Sequence, residues 1–153
     1  MRDESQGFTL TREFDATPEA IWTAWTDADE AAAWWHPRGL TTPRDTVSID
    51  ARVGEHYRYT MVDETTGDSY PTGGVYVEVE PFTRLAFTWG DPAASPADAP
   101  LVTVTIADLG ELTRLTFEIT GVDGMSGDSD FFDGWESALD GLAEHLGQLG
   151  VRG

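Results

Sequence analysis

The chain has no cysteine and no lysine. Without cysteine, disulfides, thiolate nucleophiles and thiolate metal sites are excluded. The nine basic residues are all arginine and face 28 acidic ones, a net charge of −19 at neutral pH. A surface that negative repels phosphate, so neither nucleic acid nor an anionic membrane is an expected partner. No apolar run approaches the roughly 20 residues that span a bilayer. The opening MRDESQG is polar where a signal peptide would be apolar. The expectation is a soluble, cytoplasmic protein without membrane insertion. Missing lysine beside plentiful Ala, Gly, Asp and Glu reads as genome background and says little about activity.

Catalytic signatures are also scarce. The three histidines do not share a metal-binding spacing with carboxylates: His36 sits in a loop, His56 on the polar parity of a strand, His145 off the apolar stripe of the last helix. No phosphate-cradling glycine loop, nucleophile elbow or serine-histidine-aspartate arrangement is visible. The glycine-rich stretch GVDGMSGDSD at 121–130 lacks Lys and Arg and suits a mobile lid better than a nucleotide site. Asp128 to Asp130 there are natural helix caps. Neither a metal nor a cofactor is expected, and no residue is assigned a catalytic role.

What is present is a pattern of periods. Apolar residues make up 40% of 153 positions and run from end to end, enough for one domain (1–153) that buries about 70% of its unfolded surface. FTLTREFDA reads as a strand with Phe8, Leu10, Arg12 and Phe14 on one parity. TPEAIWTAWTD then opens a helix, with Thr17 as N-cap, Pro18 first and Ile21 and Trp25 on one face. A second short helix covers DADEAAAWW from an Asp cap and is stopped by Pro37.

From 42 to 120 the period becomes two. TVSID, GEHYRYTMV, GGVYVEVE, RLAFTW and the hairpin LVTVTIADLGELTRLTFEIT each have one apolar and one polar side, the mark of an antiparallel sheet with one wet face. Within them Val75, Val77 and Val79 are set against Tyr76, Glu78 and Glu80, and Val102, Val104 and Ile106 face Leu115, Phe117 and Ile119. GDPAASPADAP, rich in proline, is an exposed loop between two strands. The last segment repeats Phe131, Trp135, Ala138, Leu139, Leu142, Leu146 and Leu149 at helical spacing. The predicted fold class is α+β: a six- to seven-stranded curved antiparallel sheet wrapped around a long C-terminal helix, with two short helices after the first strand.

That order, with the motifs ATPEAIWTAWTD, WWHPRGLTT, RVGEHYRYTM, GGVYVEVEPFTRLAFTW, LVTVTIADLGELTRLTF and FFDGWESALDGLAEHL, resembles the START-like (SRPBCC, helix-grip) superfamily. Within it the chain resembles the activator of heat-shock-protein ATPase homologue group, itself similar to polyketide cyclases, over about Phe8 to Leu149. The resemblance implies an elongated pocket between the long helix and the sheet, which in members takes apolar or amphipathic small molecules and in a minority supports cyclisation or related chemistry. A polar residue, often histidine, is common in the group where this chain has Phe131 and Ile119; both changes make the implied pocket drier.

The candidate ligand-binding residues follow. Trp34 and Trp35 are adjacent and cannot face the same way; either both are core, or one is core and the other lines the pocket mouth beside Pro37, and Trp35 is assigned to the pocket. Tyr57, Tyr59 and Met61 share a strand face, with Phe87 and Trp89 on a nearby strand and Phe117 on the last. They are either bulky core or a cavity wall, and two tyrosines on a dry face point to water or ligand polar atoms near their hydroxyls. Phe131, Trp135 and Leu139 close the cavity from the helix, and His36 stands at its mouth. Glu55 is a weak acid candidate. Arg12 either anchors a ligand carboxylate or snorkels to solvent, the latter being expected.

The leading expectation is binding of a hydrophobic or aromatic small molecule, without cofactor, by a monomer or homodimer. A cofactor-free polyketide cyclase or aromatase-like enzyme using the tyrosines and His36 is the alternative, and a chaperone ATPase accessory is a third.

Overall fold

The computed structural model of the protein describes residues 6–37, 39–90, 93, 95, 97–121 and 131–148, with the backbone alone at 131, 132, 147 and 148. Strand β1 (Gly7–Phe14) leads into helices α1 (Pro18–Thr26) and α2 (Ala28–Trp34). Then come β2 (Leu40–Thr41), a 3-10 turn (Arg44–Thr46), β3 (Ser48–Ile49), β4 (His56–Asp63), β5 (Ser69–Glu80), β6 (Arg84–Thr88), β7 (Leu101–Asp108), β8 (Thr113–Thr120) and α3 (Phe131–Gln148). The strands form one curved antiparallel sheet in the order β1-β8-β7-β6-β5-β4-β2, with β3 also on β4. Its eight strands exceed the expected six to seven by the two-residue β2, too short to show a period.

The local causes are those expected of the residues. Thr17 accepts a hydrogen bond from Ala20 N at 3.1 Å and Pro18 takes the first helical position, so α1 starts there. Asp27 ends α1 and caps α2, its carboxylate accepting from Glu30 N at 3.1 Å. The two helices carry the chain from one sheet edge, β1, to the opposite edge at β2. In the β7–β8 hairpin Val102, Val104 and Ile106 stand opposite Ile119, Phe117 and Leu115. Their inner face meets Ile21, Trp25 and Trp34 of α1 and α2 and Trp135, Leu139, Leu142 and Leu146 of α3 in one core.

Two expectations need correcting. On β5 the valines do not all face inward: Tyr76 is buried and Val77 is half exposed. The register shifts between Tyr76 and Glu78, so Tyr76 opposes Phe87 and Val79 opposes Leu85, three residues apart where an unbroken strand would need two. Val77 is the extra residue of a β-bulge and is turned out. In the loop after β6, Ala99 is buried, although its described neighbours Ala97 and Asp98 are exposed. Asp128 to Asp130, Leu149 and the proposed lid beyond Gly121 lie outside the described residues.

Helix α3 carries two glycines where it approaches its neighbours. A Cβ on Gly134 would meet Pro37 Cβ at 3.9 Å, and one on Gly141 would meet the Trp34 carbonyl at 3.6 Å, both ordinary contacts. Gly134→Ala therefore gains helix propensity without a clash. The expected result is a stability gain of up to about 1 kcal/mol, read as a melting temperature about 2–4 °C higher.

Candidate functional site

Trp34 and Trp35 part company at the end of α2. Trp34 is core: its Nε1 donates to the Ala24 carbonyl at 2.9 Å and its ring meets Trp25 edge-on at 4.7 Å. Trp35 is the first residue off the helix. It stacks on Tyr59 at 4.5 Å and on Tyr57 at 5.3 Å, and its outer side borders a cavity of about 770 Å³.

Six stretches of the chain wall that cavity. The segment after α2 and β2 supply Trp35, His36, Pro37 and Leu40; β4 and β5 supply Tyr59, Met61 and Tyr70; Trp89 follows β6; α3 adds Asp133, Gly134, Trp135, Ser137 and Ala138. Of the residues proposed from sequence, Trp35, His36, Tyr59, Met61, Trp89 and Trp135 share this wall. Tyr57, Phe87, Phe117 and Leu139 lie behind it in the packed core, none more than 1% exposed. The Phe131 side chain lies outside the described residues.

The tyrosine hydroxyls find protein partners where water or a ligand was expected. Tyr57 Oη donates to the Thr88 carbonyl at 2.7 Å, and Tyr59 Oη accepts from Trp89 Nε1 at 2.9 Å. Burial pushes both phenols above their ordinary range. Tyr76 is raised by burial too, and its hydroxyl has no hydrogen-bond partner among the described residues. Nor do the buried indole N–H groups of Trp25, Trp35 and Trp135. These rings form a nearly continuous cluster, with Trp25 6.0 Å from Trp35 and 6.5 Å from Trp135.

His36 is one of the polar groups on the wall. Its Nδ1 lies 3.0 Å from Thr42 Oγ1, which donates its hydrogen to the Trp35 carbonyl at 2.9 Å. Burial lowers the His36 pKa from 6.5, against a smaller opposing pull from Glu64. A second, smaller hollow of about 210 Å³ lies between α2 and α3, and His36, Pro37, Leu40 and Ser137 border both spaces.

The remaining candidates lie elsewhere. Arg12 faces Glu136 and Asp140 of α3 at 3.7 and 3.9 Å. Glu55 and His56 are exposed. His145 is half-buried, 3.3 Å from Glu30. No group of three or more metal-binding side chains occurs among the described residues. No helix among them is long and apolar enough to cross a membrane.

Sequence reasoning missed Leu40, Tyr70, Asp133, Gly134, Ser137 and Ala138 on the wall. Tyr70 pairs with Met61 across the β4–β5 hairpin, and extending β5 back past Pro71 would have found it. Gly134 and Ala138 are small residues four apart beside Trp135, a helix face that leaves room.

The sequence pattern of the family described as Activator of Hsp90 ATPase homolog 1-like protein (AHSA1) matches residues 15–147. The chain belongs to this family. Solved structures agree: an AHSA1 protein from Silicibacter pomeroyi is 29% identical, with TM-score 0.73 and 93% of this chain and 98% of that one covered. A protein from Chromobacterium violaceum is 26% identical, with TM-score 0.79 and coverage of 92% and 97%. One from Nitrosomonas europaea, at 21% identity and TM-score 0.81 over 97% and 98%, shares the fold. No curated protein sequence matches the chain. The AHSA1 and START-like fold is compatible with small-molecule binding.

Proposed function

We propose that the protein binds a neutral apolar or aromatic small molecule in the cavity between α3, the α2–β2 segment and strands β4–β6. The observation that carries this reading is the cavity itself: about 770 Å³, within the 300–1,000 Å³ typical of small-molecule sites, beside a core already packed with aromatic rings. Rings of Trp35, Tyr59, Trp89 and Trp135 on its wall offer flat apolar faces and edges to an aromatic guest. The cyclase-like alternative uses tyrosine hydroxyls and His36 to exchange protons with a substrate. Tyr57 and Tyr59 are bonded to Thr88 and Trp89 and hold their protons above the ordinary range, which counts against the tyrosine part of that reading and leaves His36 as its one acid–base candidate on the described wall.

N-phenyl-1-naphthylamine, a neutral dye that brightens in apolar surroundings, tests the reading. Wild-type protein should bind it with energy transfer from tryptophan. Ala138→Phe, which projects a ring from α3 into the cavity, should weaken binding at least about tenfold while the thermal melt stays cooperative. Equal binding by the two proteins overturns the proposal.

A further inference from the structure

The hydrogen-bond chain behind His36 fixes which of its ring nitrogens carries the proton. Thr42 Oγ1 has one hydrogen, and that hydrogen goes to the Trp35 carbonyl at 2.9 Å. Toward His36, 3.0 Å away, the same oxygen therefore offers only a lone pair, so Nδ1 must be the donor. A neutral ring with its proton on Nδ1 has a bare Nε2, an acceptor and never a donor. Thr42 is buried, so water does not compete for this relay. Nε2 has no hydrogen-bond partner among the described residues, and His36 borders both the large cavity and the small one.

We propose that His36 Nε2 selects the ligand: it accepts a hydrogen bond from a neutral O–H or N–H donor on an otherwise apolar aromatic molecule, a phenol or aryl alcohol being the simplest class. Thr42 is the positioning residue that holds the tautomer. The rest of the wall agrees with a neutral guest. Its other polar side chains are Asp133, Ser137 and the hydroxyl-bearing Tyr59 and Tyr70, no described cation lies on it, and the chain carries a charge of −19. A carboxylate ligand would set its oxygen lone pairs against the lone pair of Nε2, with no cation among the described wall residues to offset its charge. The lowered pKa of His36 keeps the ring in its accepting form at neutral pH.

This inference rests on the cavity being the ligand site, and three probes of one shape separate the two claims: 2-naphthol, 2-methoxynaphthalene and 2-naphthoate. The wild-type protein at pH 8 should bind 2-naphthol about tenfold tighter than 2-methoxynaphthalene, which cannot donate, and 2-naphthoate weakest. In His36→Phe and in Thr42→Val the naphthol-to-methoxynaphthalene ratio should fall to about one, and Thr42→Ser should restore it. As pH falls through the His36 pKa the ring gains a proton on Nε2, ceases to accept, and the wild-type ratio should collapse as well. Glu64, Asp133, Glu144 and His145 surround His36 from the β4–β5 turn and α3; their titration is common to wild type and His36→Phe, whose ratio should stay flat with pH. Equal binding of naphthol and methoxynaphthalene by wild type overturns the inference and leaves the cavity reading standing. Failure of all three probes to bind overturns both.

Discussion

Trp25→Ala is expected to remove about 3–5 kcal/mol of folding stability, the range for a buried tryptophan truncated in a packed core. Trp25 is 1% exposed and lies at the centre of the aromatic cluster. Its ring meets Trp34 at 4.7 Å, Trp35 at 6.0 Å, Phe87 at 6.2 Å, Phe117 at 6.4 Å and Trp135 at 6.5 Å. One side chain of α1 thus touches α2, the segment after it, two strands and α3. Its indole N–H has no partner among the described residues, so truncation loses no hydrogen bond. The whole loss is apolar transfer plus the void left behind. A domain of this size holds roughly 5–15 kcal/mol in all, and the melting temperature should drop by about 6–20 °C. Trp22, three residues earlier, is half-buried and touches Phe82 edge-on at 6.2 Å; Trp22→Ala should lose less than about 1.5 kcal/mol. Thermal and urea unfolding of the pair decides it. A Trp25 variant no weaker than the Trp22 one would refute the view that the cluster anchors the fold. Because Trp25 backs Trp35 and Trp135, the same variant should also loosen the cavity wall and weaken dye binding.

The frame of this molecule was legible because its elements obey local rules. Thr17 with Pro18, and Asp27, announce helix starts whatever the tertiary context, and the β7–β8 hairpin keeps a strict period of two along its length. Legibility ends where the period breaks. The bulge at Val77 adds one residue within an unbroken run of strand-forming residues, so valine and tyrosine exchange faces silently. The site was half legible for a related reason. Parity assigns Tyr57, Tyr59 and Met61 to one face, but it cannot say that Tyr57 lies under Trp35 and Phe87 while Met61, four residues on, reaches open space. Depth along a strand depends on what covers it. His36 stood in the sequence as a loop residue, and its tautomer became readable only when Thr42, six positions later, closed the relay to Trp35.

Gly74→Ala should carry the second large effect, opposite in sign to Gly134→Ala. Alanine at an ordinary strand position would help, since glycine there leaves conformational entropy to be lost and has no side chain to pack. At Gly74, however, a Cβ would stand 2.0 Å from the Thr88 carbonyl oxygen and 2.5 Å from Thr88 Oγ1. The first of these is backbone, so no rotamer change relieves it; β5 or β6 must move. Both Thr88 atoms are already engaged, the carbonyl accepting from Tyr57 Oη at 2.7 Å and Oγ1 from Val75 N at 2.9 Å. Displacing β6 therefore breaks a buried hydrogen bond of the core as well as distorting the ladder. The expected loss is about 3 kcal/mol, at the upper end for overpacking because backbone takes the strain. The damage should reach the cavity, since Trp89 follows Thr88 directly and its Nε1 donates to Tyr59 Oη, both on the wall. Gly74→Ala should thus lower the melting temperature and weaken dye binding together. A variant as stable as wild type would mean that β5 and β6 do not approach at this point, and that the geometry drawn for Tyr57 and Thr88 is wrong.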